Sequence, residues 1–410
     1  MKKRLFLLLL ATFMLVFVLT GCDWRGLFRG HGITPTPPQD PTLSNIPHSE
    51  NIEFNVVTMT LLSDIQNADK QQDFEEYTNL VNVIKRIKNS VVEIYSQEKV
   101  VAHGVVIGKD EQKPLGEAQK TSTSTSLTET QEKQVLSYIA TSHALVADLN
   151  DISIKRSDGT QKSAYLVGTD PDSDLCVLLV EEDLPAVEFY TDTTLIEMGE
   201  KVISIGNVLG ADGETTTTSG IISANQLSVD QLGYSFNILS TDTMINEGSF
   251  GGGLFTNTGF FIGMVSGNFD KHFTTPTDMN FALSANDVLS ISKQLVETRT
   301  VNSLGYIKGK YLLGIDCKDE FANRWGTQIN VVVDNLDTSG CLYSSGLRQG
   351  DIIKTIEFKG NAFAPNKTQD LYDYINDCKF KIGDVFTLAI SRNDTSRSVQ
   401  VKIKQYIYQK

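Results

Sequence analysis

Thr241-Asp242-Thr243-Met244-Ile245-Asn246-Glu247-Gly248-Ser249-Phe250-Gly251-Gly252-Gly253-Leu254-Phe255 places four glycines around one serine and one phenylalanine, just before an apolar run. Glycines in such numbers permit positive φ and close backbone approach, which a loop needs if it is to aim several N–H groups at one point. Taken alone, the stretch is equally a flexible turn, and its surroundings decide. From Ser90 to Phe281 the chain runs in short apolar, β-branched segments: Val91–Ile94, Val105–Ile107, Ile152–Ile154, Val177–Val180, Val202–Ile205 and Phe261–Val265. Breaks rich in Gly, Asn and Asp separate them, so the pattern predicts a mainly β barrel or sandwich.

Two further segments bring chemistry to this frame. Of the histidines, His31 and His48 fall in a proline-rich stretch and His272 in a polar loop, whereas His143 closes the apolar run Tyr138-Ile139-Ala140-Thr141-Ser142. Asp174, at the end of Asp170-Pro171-Asp172-Ser173, directly precedes a fully apolar strand. A carboxylate there is costly unless a donor such as an imidazole N–H meets it. Asp170, Asp172, Asp174 and Glu181 also match positions of a calcium loop, but Leu175 replaces its turn glycine and a strand follows. No metal site and no cofactor are expected. An S-x-x-K match at Ser290–Lys293 has no K-T-G companion and reads as chance.

The ends have their own character. Lys2, Lys3 and Arg4 precede an apolar run, Leu5 to Leu19, that is shorter than the ~20 residues a spanning helix needs. With Leu19-Thr20-Gly21-Cys22 it resembles a bacterial lipoprotein signal, which implies removal of residues 1–21 and lipidation of Cys22. Residues 22–50 hold Pro35, Pro37, Pro38, Pro41 and Pro47 and read as a tether. Residues 51–89 form a helical lead-in, with Phe74, Tyr77, Leu80, Val81, Ile84 and Ile87 on one helical face. A polar, Thr/Ser-rich stretch from Asp110 to Ser137 is expected to be a long hairpin loop, and residues 286–297 a helix closing the domain that spans 90–297. Residues 304–405 are long enough for a second domain. Cys317, Cys341 and Cys378 lie in that part; one disulfide or buried thiols would both suit it, the thiols being favoured. A net charge of -14 disfavours nucleic acid and anionic lipid headgroups as partners.

In order and spacing, Tyr138–Val146, Gly168–Val180, Gly206–Gly210, Thr218–Ser223 and Asn280–Leu283 resemble segments of the HtrA (high-temperature-requirement A) serine proteases. The resemblance covers Ser90 to Leu295 and implies a two-barrel, chymotrypsin-like fold with His143 as base and Asp174 as its partner. It fails at one place. The family reads Asn-Pro-Gly-Asn-Ser-Gly-Gly-Pro, and aligning Asn246, Gly248, Gly251 and Gly252 without gaps puts Phe250 at the nucleophile, with Ser249 one residue early. The oxyanion-hole N–H groups would be those of Gly248 and Phe250. Beyond residue 304, Tyr311–Ile315 is similar to the carboxylate-binding loop of PDZ modules, with Leu313, Gly314 and Ile315 as its peptide-binding backbone. Gly346–Ile353 and Thr368–Ile375 are similar to their GL-x-x-GD-I-I segment and groove helix, so a small mixed α/β PDZ domain is implied.

The resemblance therefore implies a lipid-anchored protein on the extracytoplasmic face of a bacterial membrane. It would act in protein quality control, with unfolded chains or C-terminal peptide segments as partners, and a homo-oligomer is left open. Phe250 favours lost or strongly reduced peptidase activity. The alternatives are an active endopeptidase using Ser249 after a one-residue loop shift, and an inert scaffold lipoprotein.

Overall fold

The computed structural model describes residues 52–57, 79–111, 135–155, 159–192, 195–206, 215–231, 234–269, 279–301, 303–322 and 328–408. The signal segment, Cys22, the tether and the Thr/Ser-rich part of the long loop lie outside these residues. A short strand, β1 (Asn55–Val57), and a helix, α1 (Leu80–Ile87), come first. Asn79 accepts a hydrogen bond from the Val81 N–H at 3.0 Å, and this cap starts α1 at Leu80; the expected helical positions Phe74 and Tyr77 lie outside the described residues. Only Val83 and Ile87 of α1 are buried, while Leu80 and Val81 face solvent.

The next strands are β2 (Val91–Ser96), β3 (Lys99–Glu111) and β4 (Val135–Ser142), then a one-turn helix, α2 (His143–Val146). After it come β5 (Ser153–Lys155), β6 (Gln161–Asp170) and β7 (Leu175–Val180). They close into a barrel in the order β2-β3-β4-β7-β6-β5. All of β7 is buried, because it pairs with β4 on one side and β6 on the other. That is why its sequence is a continuous apolar run instead of an alternation. The expected loop from Asp110 to Ser137 is shorter at both ends, since β3 continues to Glu111 and β4 begins at Val135.

The second barrel is built from β9 (Lys201–Gly206), β10 (Thr216–Gln231), β11 (Tyr234–Thr241), β12 (Gly253–Thr256), β13 (Phe261–Ser266) and β14 (Asn280–Ser284). Its sheet runs β1-β8-β13-β12-β9-β10-β11-β14, with β8 (Glu188–Tyr190) near its edge, and β13 also pairs with β14 to close it. Two six-stranded barrels side by side are the chymotrypsin-like arrangement. Helix α3 (Ala285–Thr298) follows, with Ser284 Oγ accepting from Asp287 N–H at 3.2 Å as its cap.

The C-terminal part is a mixed sheet-and-helix unit compatible with a PDZ fold. Its elements are β15 (Ile315–Phe321), β16 (Ile329–Leu336), α4 (Cys341–Ser344), β17 (Ile352–Phe358), β18 (Asn361–Phe363), α5 (Thr368–Cys378), β19 (Val385–Arg392) and β20 (Thr395–Lys402). The sheet order is β15-β16-β17-β19-β20, so β15 is an edge strand. Leu371 and Ile375 of α5 join the core with Phe380, Phe386 and Leu388. Asp351, in the Gly350-Asp351-Ile352-Ile353 motif, is buried and takes two bonds from Arg392, at 2.6 and 2.7 Å, plus the Arg348 N–H at 2.8 Å. The aspartate of that motif thus ties the turn before β17 to β19.

The two parts are joined by backbone. Gly305 N–H bonds to Val167 O at 2.9 Å, and Gly305 pairs with Gly168 in β6 so closely that a Cβ on Gly168 would stand 2.8 Å from the Gly305 carbonyl. Beside this seam the buried Lys310 ammonium reaches Asp170 and, at 2.6 Å, Asp172. Two of the four carboxylates that suggested a calcium loop are thus paired with an amine of the same chain. Among the described residues no group of His, Cys, Asp and Glu is placed to hold a metal ion.

Candidate active site

His143 opens α2 at the end of β4, and Asp174 closes the turn between β6 and β7. That turn is held by Ser173 Oγ donating to Asp170 at 2.6 Å, and it leaves Asp174 at φ 54, a left-handed conformation that costs a non-glycine residue about 1 kcal/mol or more. The strain is held by what Asp174 does next. Its carbonyl accepts the His143 N–H at 2.9 Å, and its carboxylate accepts the Ala144 N–H at 2.8 Å, so the aspartate caps the first turn of α2. Ser142 Oγ, at 2.9 and 3.0 Å, and Ser266 Oγ, at 2.6 Å, complete its shell. These donors satisfy a carboxylate that is only 1% exposed.

The imidazole is oriented by a different group. Nδ1 of His143 lies 2.7 Å from Thr169 Oγ1, which in turn lies 3.0 Å from the Leu175 carbonyl. A hydroxyl has one proton to give. Given to Leu175, it leaves Thr169 as acceptor for Nδ1–H, so the tautomer is the one with its lone pair on Nε2, as a general base requires. Thr169 was not singled out by the sequence, because a threonine inside a strand carries no spacing signal. Its role rests on a register in which Thr169 faces Cys176 of β7 and Cys176 faces Thr141 of β4.

The glycine-rich loop carries Ser249 and Phe250, the two residues between which the expected nucleophile position falls. Glu247–Ser249 form a single 3-10 turn. Ser249 is 1% exposed; its hydroxyl donates to Asn246 Oδ1 at 3.3 Å, and it packs against Gly206, where a Cβ would lie 2.8 Å from the Ser249 Cα. The Phe250 N–H, expected as an oxyanion donor, donates to the Glu247 carbonyl at 3.2 Å inside the turn. The Phe250 ring lies on Gly267, where any Cβ would collide with it, and packs against the core of the second barrel.

What holds this loop is His103, on β3, which also carried no signal beyond being one histidine in an apolar run. Its Nδ1 bonds the Gly248 carbonyl at 2.8 Å and its N–H bonds the Phe250 carbonyl at 3.0 Å, while Thr141 Oγ1 donates to the His103 carbonyl at 2.7 Å. Gly251, at φ 84, lets the chain pass directly over that carbonyl, a path closed to any side chain. His103 is fully buried with Nε2 unpartnered, and burial holds its pKa below the ordinary histidine value.

Peptide-binding backbone was expected at Leu313, Gly314 and Ile315. The carbonyls of Leu312, Leu313 and Gly314 accept from Cys341, Leu342 and Asp337 N–H groups at 2.9, 3.2 and 3.0 Å. In a trans peptide the following N–H points the opposite way, so those of Leu313, Gly314 and Ile315 face away from this segment, helped by φ 71 at Gly314. The adjoining edge is partly occupied. Tyr372 Oη of α5 accepts the Cys317 N–H at 2.8 Å, and Asp319 of β15 caps Thr368 through two bonds of 2.7 Å. Cys176, Cys317, Cys341 and Cys378 are free thiols, and burial pushes Cys317 up to about 12.

Two barrels meeting at a histidine, a buried aspartate and a glycine-rich loop define a trypsin-like peptidase domain. The family of that description, the trypsin-like peptidase domain, matches residues 98–264. The chain is 28% identical over 285 residues to a serine protease Do-like HtrA of Bacillus subtilis, covering 65% of this chain and 60% of the relative. It is 33% identical over 225 residues to a probable periplasmic DegP-like serine endoprotease of Rickettsia prowazekii, covering 52% and 42%. A serine protease Do-like HtrA of Lactococcus lactis matches 80% of this chain and 83% of its own length at 24% identity. The chain carries a trypsin-like peptidase domain and is similar to HtrA-type serine proteases, and it spans about three fifths of the length of the Bacillus subtilis relatives it matches.

Proposed function

We propose that this protein is an HtrA-like quality-control factor that holds unfolded polypeptide segments and has lost, or nearly lost, the ability to cut them. The observation that carries this reading is the Glu247–Phe250 loop. A phenylalanine stands at the nucleophile position, its N–H is turned back onto Glu247, and the neighbouring Ser249 hydroxyl is buried against Asn246. Loss of the serine in a related triad costs about 10⁶ in turnover, and the residual rate depends on an oxyanion hole. Here the hole also lacks a donor. His143 keeps the tautomer of a base, while the Ser249 hydroxyl is turned to Asn246.

In this reading Cys22 carries lipid and places the domains on the extracytoplasmic face of the membrane. The C-terminal domain takes free C-terminal carboxylates at Leu313–Ile315 by strand addition to β15. The test is cleavage of unfolded casein by residues 51–410, alongside Ser249→Ala and Phe250→Ser, with capture of the same casein measured in parallel. Capture without cleavage by the wild type is the expected result. Robust wild-type cleavage abolished by Ser249→Ala would overturn it and establish the shifted-loop endopeptidase, and absence of both capture and cleavage would leave an inert scaffold.

A further inference from the structure

The chain does not end its structural work at β20. Residues 405–408 turn back across the seam between the two parts and reach the first barrel. Gln405 uses both ends of its amide on the turn that follows the Gly305 seam: Nε2 donates to the Ile307 carbonyl at 2.8 Å and the Lys310 carbonyl at 3.0 Å, and Oε1 accepts the Gly309 N–H at 3.0 Å. The Tyr406 N–H adds a bond to the Lys310 carbonyl at 2.9 Å. Lys310 is fixed in turn by Asp170 and Asp172, within four residues of Asp174. The returning segment is thus laid on a turn that is itself bolted to the barrel.

Its last described residue meets the site. The Tyr408 ring stands edge-on to the His143 imidazole, with centroids 5.2 Å apart and planes at 90°, and its hydroxyl donates to the Asp148 carboxylate just beyond α2. Burial and the nearby Asp148 both push the Tyr408 phenol upward, which keeps it protonated and a donor. An aromatic edge against an imidazole and a charge-assisted hydrogen bond are each favourable, and both are released together if the segment lifts.

We infer that residues 405–408 form a removable strap that covers His143 with Tyr408 in the free protein, so that a polypeptide reaching the imidazole must first displace the chain's own tyrosine. The strap is anchored on the Ile307–Lys310 turn, and it therefore closes only when the C-terminal part is seated on the first barrel. This goes beyond the proposed quality-control role and does not need it, because a covered imidazole is defined whether the site cuts, holds or does neither.

The experiment measures covering directly. Full-length protein is treated with diethylpyrocarbonate near neutral pH, with N-acetylhistidine as a rate reference, and modification of His143 and His103 is followed by peptide mass spectrometry. Wild type, Tyr408→Ala and Tyr408→Phe are compared. Loss of a hydrogen bond to a charged group corresponds to about a tenfold change in an opening equilibrium. His143 in Tyr408→Phe should therefore react about tenfold faster than in wild type, and in Tyr408→Ala, which also loses the ring, faster still. The buried His103 reports that the barrels remain folded: its continued protection validates Tyr408→Ala, and if that variant loses it, the decision rests on Tyr408→Phe. Equal His143 rates in wild type and the folded Tyr408 variant overturn the strap.

Discussion

His103 makes the stability of the barrels depend on pH in a way that can be calculated from its surroundings. It is 0% exposed, and apart from the loop carbonyl on Nδ1 the charged group that bears on it is Glu93, its partner across the β2–β3 ladder. Burial lowers its pKa more than the Gly248 carbonyl and the Glu93 charge raise it. In the unfolded chain the same ring takes its proton near ~6.5. The folded state resists that proton, so the stabilisation is fully present above the unfolded pKa and is lost as pH falls below it. The slope cannot exceed ~1.4 kcal/mol per pH unit, so the loss from pH 6.5 to 5.5 is at most about 1 kcal/mol. For a domain of this size that is at most about 2–4 °C in Tm. His103→Asn supplies an amide N–H near the Nδ1 position and cannot titrate, so other groups cancel in the comparison. Calorimetric melting of both proteins at pH 7.5, 6.5 and 5.5 should show the wild type losing up to about 2–4 °C more than the variant over the last unit. Parallel curves would refute the reasoning and mean that His103 is hydrated or protonated in the folded barrel.

Lys310→Met removes the only partner the structure gives to the buried carboxylate of Asp170 outside its own turn, and should cost about 3–5 kcal/mol in urea unfolding, with part recovered in the double variant Asp170→Asn/Lys310→Met. No recovery would mean that the pair is not what Lys310 stabilises. Tyr372→Phe frees the Cys317 N–H for an added strand and should tighten binding of free-acid C-terminal peptides about fivefold by titration calorimetry, equivalent to one hydrogen bond of about 1 kcal/mol; unchanged affinity would remove Tyr372 as a competitor. Cys22→Ala should abolish palmitate incorporation in metabolic labelling, and equal incorporation in both proteins would exclude lipidation at that residue.

What could be read from the sequence and what could not differ in how far apart the interacting groups lie along the chain. Strands such as β7 and β13 announce themselves because burial on both faces makes nearly every residue apolar, and that pattern is local. The glycine run and the turn before β7 are local too, and each led to the neighbourhood of the site. The groups that set its behaviour are distant partners. Tyr408 meets Asp148 and His143, His103 meets Gly248, and Lys310 meets Asp170, each across more than a hundred residues with no periodicity to mark it. The same limit applies to the loop. That a phenylalanine occupies position 250 is visible in the sequence, but the direction of its N–H depends on where its ring is accommodated. With Gly267 offering a flat backbone and the second barrel an apolar wall, partly burying the ring is worth a fraction of the ~1.5–3 kcal/mol of full burial. The packed ring draws Phe250 to φ -63 and ψ 138 and leaves its N–H facing Glu247, while His103 fixes the Gly248 carbonyl from the other barrel. On the proposed reading the ring and His103 together hold the loop in this turn, so the nucleophile and the hole would be lost through one residue.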